Sequence, residues 1–121
     1  MSAHDPALTL RQIVELCDKA MELRDSMTWE EYNNDWRKQM LGERVVEMLG
    51  EAVKRLPEDL RARYPEQPWR KIAGTRDYIA HGYDSVDHDV IWGVLNNEAG
   101  KLKESALAIL AVEYSEPPAN G

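Results

Sequence analysis

Phenylalanine is missing from the 121 residues, and cysteine occurs once, as Cys17. A single cysteine excludes an intrachain disulfide. No apolar run approaches the roughly 20 residues that a membrane-crossing helix needs, so a membrane span is excluded. The opening MSAHDPALTL lacks the basic-then-apolar pattern of a secretory signal, and cytoplasmic residence is the expectation. Runs of alternating β-branched residues bounded by turns are absent, as are repeats and low-complexity tracts. What is present is 43% hydrophobic and 31% charged residues, the composition of a soluble globular protein. The length fits one domain with a modest core, expected over residues 1–114, with 115–121 (SEPPANG) as a flexible tail.

The pattern reads as all-α. Ile13, Val14, Cys17, Ala20 and Met21 recur at helical spacing and predict a first helix from Pro6 to Ser26. Thr28 and Glu31 have the spacing of a capping box, and TWEEYNND suits a short helical turn. A long helix then reaches Leu56, its inner face expected to carry Leu41, Val45, Met48, Leu49, Ala52 and Leu56, with Pro57 as the stop. PEDLRARY predicts a brief helix. The next helix starts at Pro68 and ends at Gly82, and the last runs from an N-cap at Asp87 to Tyr114, with a bend at Gly100. Four main helices and short loops predict an up-and-down bundle of four to five helices.

The net charge of −7 argues against non-specific nucleic-acid binding, which needs cations against phosphates. The charge is uneven, however. Between Lys54 and Arg76 there are seven basic and three acidic residues, so that segment is at +4 and the rest of the chain at −11. An ordinary charged surface explains this as well as a basic binding face does. Arg63, Arg70 and Lys71 are the candidates for contact with nucleic-acid phosphates.

The segment leads into Arg76-Asp77-Tyr78-Ile79-Ala80-His81-Gly82-Tyr83. Trp69, Ile72, Ala73, Ile79 and Ala80 share one helical face, and Arg76 falls within it, about 20° from Trp69. A guanidinium there must snorkel outward, meet a carboxylate such as Glu51 or Glu98, or line a cleft. An always-charged Arg suits the gripping of phosphate. His81 lies about 140° further around an ideal helix, so the two converge only if the helix unwinds or two copies face each other. Arg and His together suffice for one reaction without a metal or cofactor. The His exchanges the proton of an RNA 2′-hydroxyl, and the Arg stabilises charge on the phosphoryl oxygens. The products would be a cyclic phosphate and a free 5′-hydroxyl, and DNA could not react.

Arg76 to His81 resembles the Arg-x4–6-His signature of HEPN ribonucleases, and His81-Gly82-Tyr83 extends it to the Arg-x4-His-x-Tyr form of HepT toxins. MLGEAVKRL (48–56), RYPEQPWRKIAG (63–74) and GYDSVDHDVIW (82–92) carry the resemblance over nearly the whole chain. It implies a dimeric HEPN bundle that brings Arg76 and His81 of both protomers into one cleft, with Asp77 as the supporting polar residue. It implies a metal-independent endoribonuclease, the toxin of a type II/VII-like toxin–antitoxin system. The implied partner is a minimal nucleotidyltransferase antitoxin that transfers AMP to the hydroxyl of Tyr83, adding negative charge beside a phosphate-binding cleft. The chain departs from the family at Gly100, where a Pro is frequent, so the same bend is expected to be held less firmly.

Two other readings compete. A HEPN module without catalysis would only bind a nucleotidyltransferase or a nucleotide, and would not need Arg76, His81 and Tyr83 together. A purely structural bundle with Arg76 in an internal ion pair leaves the basic segment and the tyrosine loop unexplained. Trp69, Tyr78 and Trp92 could stack on bases, although core packing explains the tryptophans more simply.

Overall fold

The computed structural model describes residues 5–81 and 87–114, the side chains of residues 80 and 81 excepted. The expected tail, 115–121, lies outside the described residues, as do Gly82 and Tyr83. Among the described residues every regular element is helical: α1 (Pro6–Asp25), α2 (Trp29–Asn33), α3 (Trp36–Arg55), α4 (Glu58–Arg63), α5 (Trp69–His81), α6 (His88–Gly93), a π turn (Val94–Glu98) and α7 (Ala99–Glu113). The bundle is made of α1, α3, α5 and the run from α6 to α7. None of these helices is long and apolar enough to cross a membrane.

Local chemistry sets the boundaries. The Asp5 carboxylate accepts from the Ala7 N–H at 3.0 Å, with Pro6 in the first turn. Thr28 and Glu31 cap α2 reciprocally, at 3.1 and 2.9 Å. Asp35 caps α3 through the Arg37 N–H, and Pro57 follows its end. Asp87 caps α6 through the Asp89 N–H at 2.9 Å, as its type and place predict.

α1 packs on α3 and α7, and α3 carries α5. Leu10, Ile13 and Cys17 of α1 meet Val46, Leu49 and Val53 of α3 and Leu95, Leu102 and Ile109 of the last run, all buried. Tyr32, Trp29 and Trp92 close one end of this core, with Tyr32 and Trp92 ring centres 5.4 Å apart.

Two expectations are corrected. The inner face of α3 is only in part the one expected: Leu49, Ala52 and Leu56 are buried, whereas Leu41 is 56% exposed and Met48 37% exposed. The buried set is Gly42, Val46, Leu49, Gly50, Ala52 and Val53. Apolar periodicity gives weight to bulk and passes over glycine, yet here two glycines mark the closest approaches. A Cβ on Gly42 would lie 2.9 Å from the Tyr32 ring, and one on Gly50 would lie 2.3 Å from Arg76 Cβ and 2.8 Å from the Ile72 carbonyl oxygen. The irregularity of the last helix is likewise not at Gly100. It is the π turn at Val94–Glu98, and Gly100 lies in regular helix, where a Cβ would make only ordinary contact with Met21 Sδ at 3.6 Å.

Candidate active site

The site is built on the seam between α3 and α5. Trp69 anchors the start of α5: it is buried, and its indole N–H donates to the Tyr64 carbonyl at 2.9 Å. Ile72 and Thr75 are buried one and two turns on, and the Thr75 hydroxyl is satisfied by the Lys71 carbonyl at 2.8 Å. These contacts fix which way α5 faces, and that direction carries Arg76 into the seam opposite Gly50. Without a side chain on Gly50, the Arg76 stem lies directly on the α3 backbone.

The Arg76 side chain is 28% exposed. Its Nε is buried and has no hydrogen-bond partner among the described residues. Its Nη1 donates to Asp77 Oδ1 at 3.3 Å. Neither carboxylate suggested by the sequence is the partner. Glu98 accepts from Lys71 Nζ at 2.8 Å, and Glu51 lines a separate cavity between α1 and α3 with Gln12, Lys19 and Arg44. The same Asp77 oxygen accepts from Lys54 Nζ at 2.9 Å. The Lys54 hydrogen bond holds the Asp77 carboxyl below its ordinary range, helped by both positive charges and opposed by partial desolvation. Among the described residues, the single carboxylate of Asp77 thus faces two cations, Lys54 and Arg76. Lys54 has no place in the sequence motif. The available signal is its position one helical turn after Gly50, on the face that meets α5.

His81 is the last residue of α5, and Tyr83 falls in the stretch outside the described residues. The structure therefore brings together Arg76, Asp77 and Lys54, with the backbone of His81 a little over one turn further along the same helix. The Tyr78 hydroxyl accepts from the Asp87 N–H at 2.6 Å, tying the end of α5 to the start of α6 on either side of the Tyr83 segment.

The three basic candidates differ. Arg63 is held by both oxygens of Glu113, at 3.2 and 2.5 Å, and by Asp59 at 3.2 Å; Tyr64 also donates to Glu113, at 2.6 Å. Lys71 is paired with Glu98. Arg70 is exposed and has no ion pair among the described residues. Of the aromatic candidates, Trp69 and Trp92 belong to the core, and Tyr78 is 38% exposed. Among the described residues no group of three or more His, Cys, Asp or Glu is spaced to hold a metal ion.

The all-helical bundle is consistent with the fold of the HEPN class. Residues 13–109 match the family described as ribonuclease HepT-like, and the chain belongs to that family. A proposed RNase of Methanocaldococcus jannaschii is 33% identical over 93% of this chain and 94% of its own length. A proposed RNase of Caldanaerobacter subterraneus is 32% identical over 89% of this chain and 96% of its own. The proposed ribonuclease HepT of Thermococcus cleftensis is 33% identical over 78% of this chain and 86% of its own. No solved structure gives a significant match.

Proposed function

We propose that this chain is a metal-independent endoribonuclease and the toxin of a toxin–antitoxin pair, with Arg76 and His81 as its catalytic residues. The observation that carries this reading is Arg76: a guanidinium held in a packed seam, its Nε unpartnered and its only described carboxylate shared with Lys54. A structural ion pair would satisfy both partners; this one leaves capacity for an anion. In the reaction, the RNA 2′-oxygen attacks the adjacent phosphorus as His81 takes its proton. The bond from phosphorus to the 5′-oxygen breaks, the leaving oxygen takes a proton, and a 2′,3′-cyclic phosphate remains. Arg76 stabilises the charge that builds on the non-bridging oxygens. Asp77, held by Lys54, orients the guanidinium and does not itself touch the phosphate.

The roughly 140° between Arg76 and His81 on one helix favours a homodimer, in which each chain completes the other's cleft. Arg70 is the strongest of the RNA-contact candidates, since Arg63 and Lys71 already spend charge on Glu113 and Glu98. The partner that silences the toxin is a minimal nucleotidyltransferase antitoxin. AMP transferred to Tyr83 would add a bulky negative group beside the cleft and repel RNA.

Expression in a bacterial host tests this reading. Wild type should arrest growth and degrade RNA, while Arg76→Ala and His81→Ala should do neither. A wild-type chain that leaves RNA intact while still binding the antitoxin would identify a binding module instead. With antitoxin and ATP, the wild-type toxin should gain the mass of AMP and Tyr83→Phe should not. An unchanged mass gain on Tyr83→Phe would place the acceptor elsewhere.

A further inference from the structure

A groove of about 700 Å³ runs between α4 and α5, with Arg61, Trp69, Arg70, Gly74 and Asp77 among its lining residues. Three observations set it apart. Arg61 is half-buried, and its Nε has no hydrogen-bond partner among the described residues. Neither Arg61 nor Arg70 has an ion-pair partner among the described residues, although every other arginine between positions 60 and 80 does. Gly74 has no described atom within 4 Å of where its Cβ would stand. Glycine in a helix interior is destabilising relative to alanine. Gly50 has a packing reason; Gly74 has none among the described residues. Arg70, Gly74 and Asp77 follow at i, i+4 and i+7, so they share one face of α5, and that face ends beside Arg76. The acids of the groove are Glu58, at its α4 side, and Asp77, which Lys54 and Arg76 already engage.

We infer that this groove seats the sugar–phosphate backbone of a single RNA strand, with Arg61 and Arg70 on two phosphates to one side of the one held by Arg76, and with the bare Gly74 backbone as the floor that lets the strand approach. The inference rests on the ribonuclease reading. It adds Arg61, a residue outside the motif, and it distinguishes the free arginines from Arg63 and Lys71. The chemistry is charge complementarity: two unpaired guanidinium groups form charge-assisted hydrogen bonds with phosphodiester oxygens. The backbone contacts are independent of base identity, so the groove contributes affinity and direction rather than sequence choice.

The test uses the full chain and a 2′-O-methylated oligonucleotide of about 12 nucleotides, a length that can span the groove and the site and that cannot be cleaved. Arg61→Gln with Arg70→Gln should weaken binding at least about tenfold. It should also lower the slope of log affinity against log salt by about 1.4, the value for two phosphates on a single strand. Arg11→Gln with Lys101→Gln, which removes the same charge from exposed positions elsewhere, should leave binding unchanged. Gly74→Ala should raise the melting temperature by about 2–5 °C while weakening RNA binding, a pairing that a structural role would not produce. Wild-type binding by the arginine double variant, with cleavage intact, would overturn the groove and leave the catalytic reading standing. A change in sedimentation mass with Gly74→Ala, together with unchanged RNA affinity of the arginine variant, would assign the face to a second copy and overturn it. If the wild type neither bound nor cleaved RNA, the groove would fall together with the function on which it rests.

Discussion

Gly50 and Arg76 define each other. The Arg76 stem occupies the volume a side chain at position 50 would need, with only 2.3 Å between the two Cβ positions. The obstacles are a backbone carbonyl and the base of a side chain, which cannot swing away. Gly50→Ala should therefore push α5 outward, cost about 1–3 kcal/mol in urea unfolding and reduce RNA cleavage. Wild-type stability would mean the seam is looser than described. The anomaly of Arg76 was legible in the sequence, because a charge on an apolar helical face must be satisfied or used. Its partner was not: Asp77 is adjacent in the chain, but the Lys54 that shares it comes from another helix and is 23 positions away. At the opposite extreme, Cys17 is a fully buried thiol pushed up to about 12, first by burial and then by the charge of Asp18. It is protonated at neutral pH and sheltered, so a thiol reagent should label it only through unfolding, at a rate that rises with urea. Labelling of the native protein at the rate of a free thiol would contradict the packing of α1.

At the scale of elements, helix identity and order followed from periodicity, caps and prolines, and the structure keeps them. The face of α3 followed only in part: Leu49, Ala52 and Leu56 are buried as expected, but glycines at 42 and 50 belong to the inner stripe where Leu41 and Met48 do not. Nor did the π turn, because an extra residue in one turn leaves the apolar pattern nearly unchanged. The link between α5 and α6 was also hidden, for it depends on a tyrosine hydroxyl accepting from a backbone amide nine residues later. Tyr78→Phe should remove that link and speed hydrogen exchange at the Asp87 amide by several-fold, corresponding to about 0.5–1.5 kcal/mol for a net hydrogen bond. Unchanged exchange there would show that the Asp87 cap alone holds the start of α6. The basic residues make a related point. Charge counting groups Arg63, Lys71 and Arg70 together, whereas folding brings Glu113 and Glu98 to the first two and leaves the third open.

For the whole molecule, the acidic balance and the ion pairs predict how stability responds to pH. Asp77 is lowered first by the Lys54 hydrogen bond, and Glu113 first by Arg63 and then by Tyr64. A carboxylate lowered on folding contributes stability that is fully present above its unfolded value, about 4, and is lost as pH falls through the lower folded value. Glu43 is raised by burial and works in the opposite sense, favouring the folded state as pH falls. The urea midpoint should therefore hold from neutral pH down to about 4 as far as Asp77 and Glu113 are concerned, then fall. Asp77→Asn with Glu113→Gln should flatten that acid limb, and an unaltered limb would mean these pairs do not differ between the folded and unfolded states.

The seam, an Arg76 whose Nε has no partner among the described residues, and membership of a ribonuclease family support the proposed RNA cleavage without a metal. The direct measurement is the end chemistry of RNA incubated with purified protein in excess EDTA, for wild type beside Arg76→Ala and His81→Ala. Wild type should leave 2′,3′-cyclic phosphate and 5′-hydroxyl ends at an undiminished rate, and each variant should be slower by at least about 100-fold, the scale of losing an acid–base group or a charge stabiliser. Equal cleavage by all three proteins, or loss of wild-type cleavage in EDTA, would contradict the assigned chemistry.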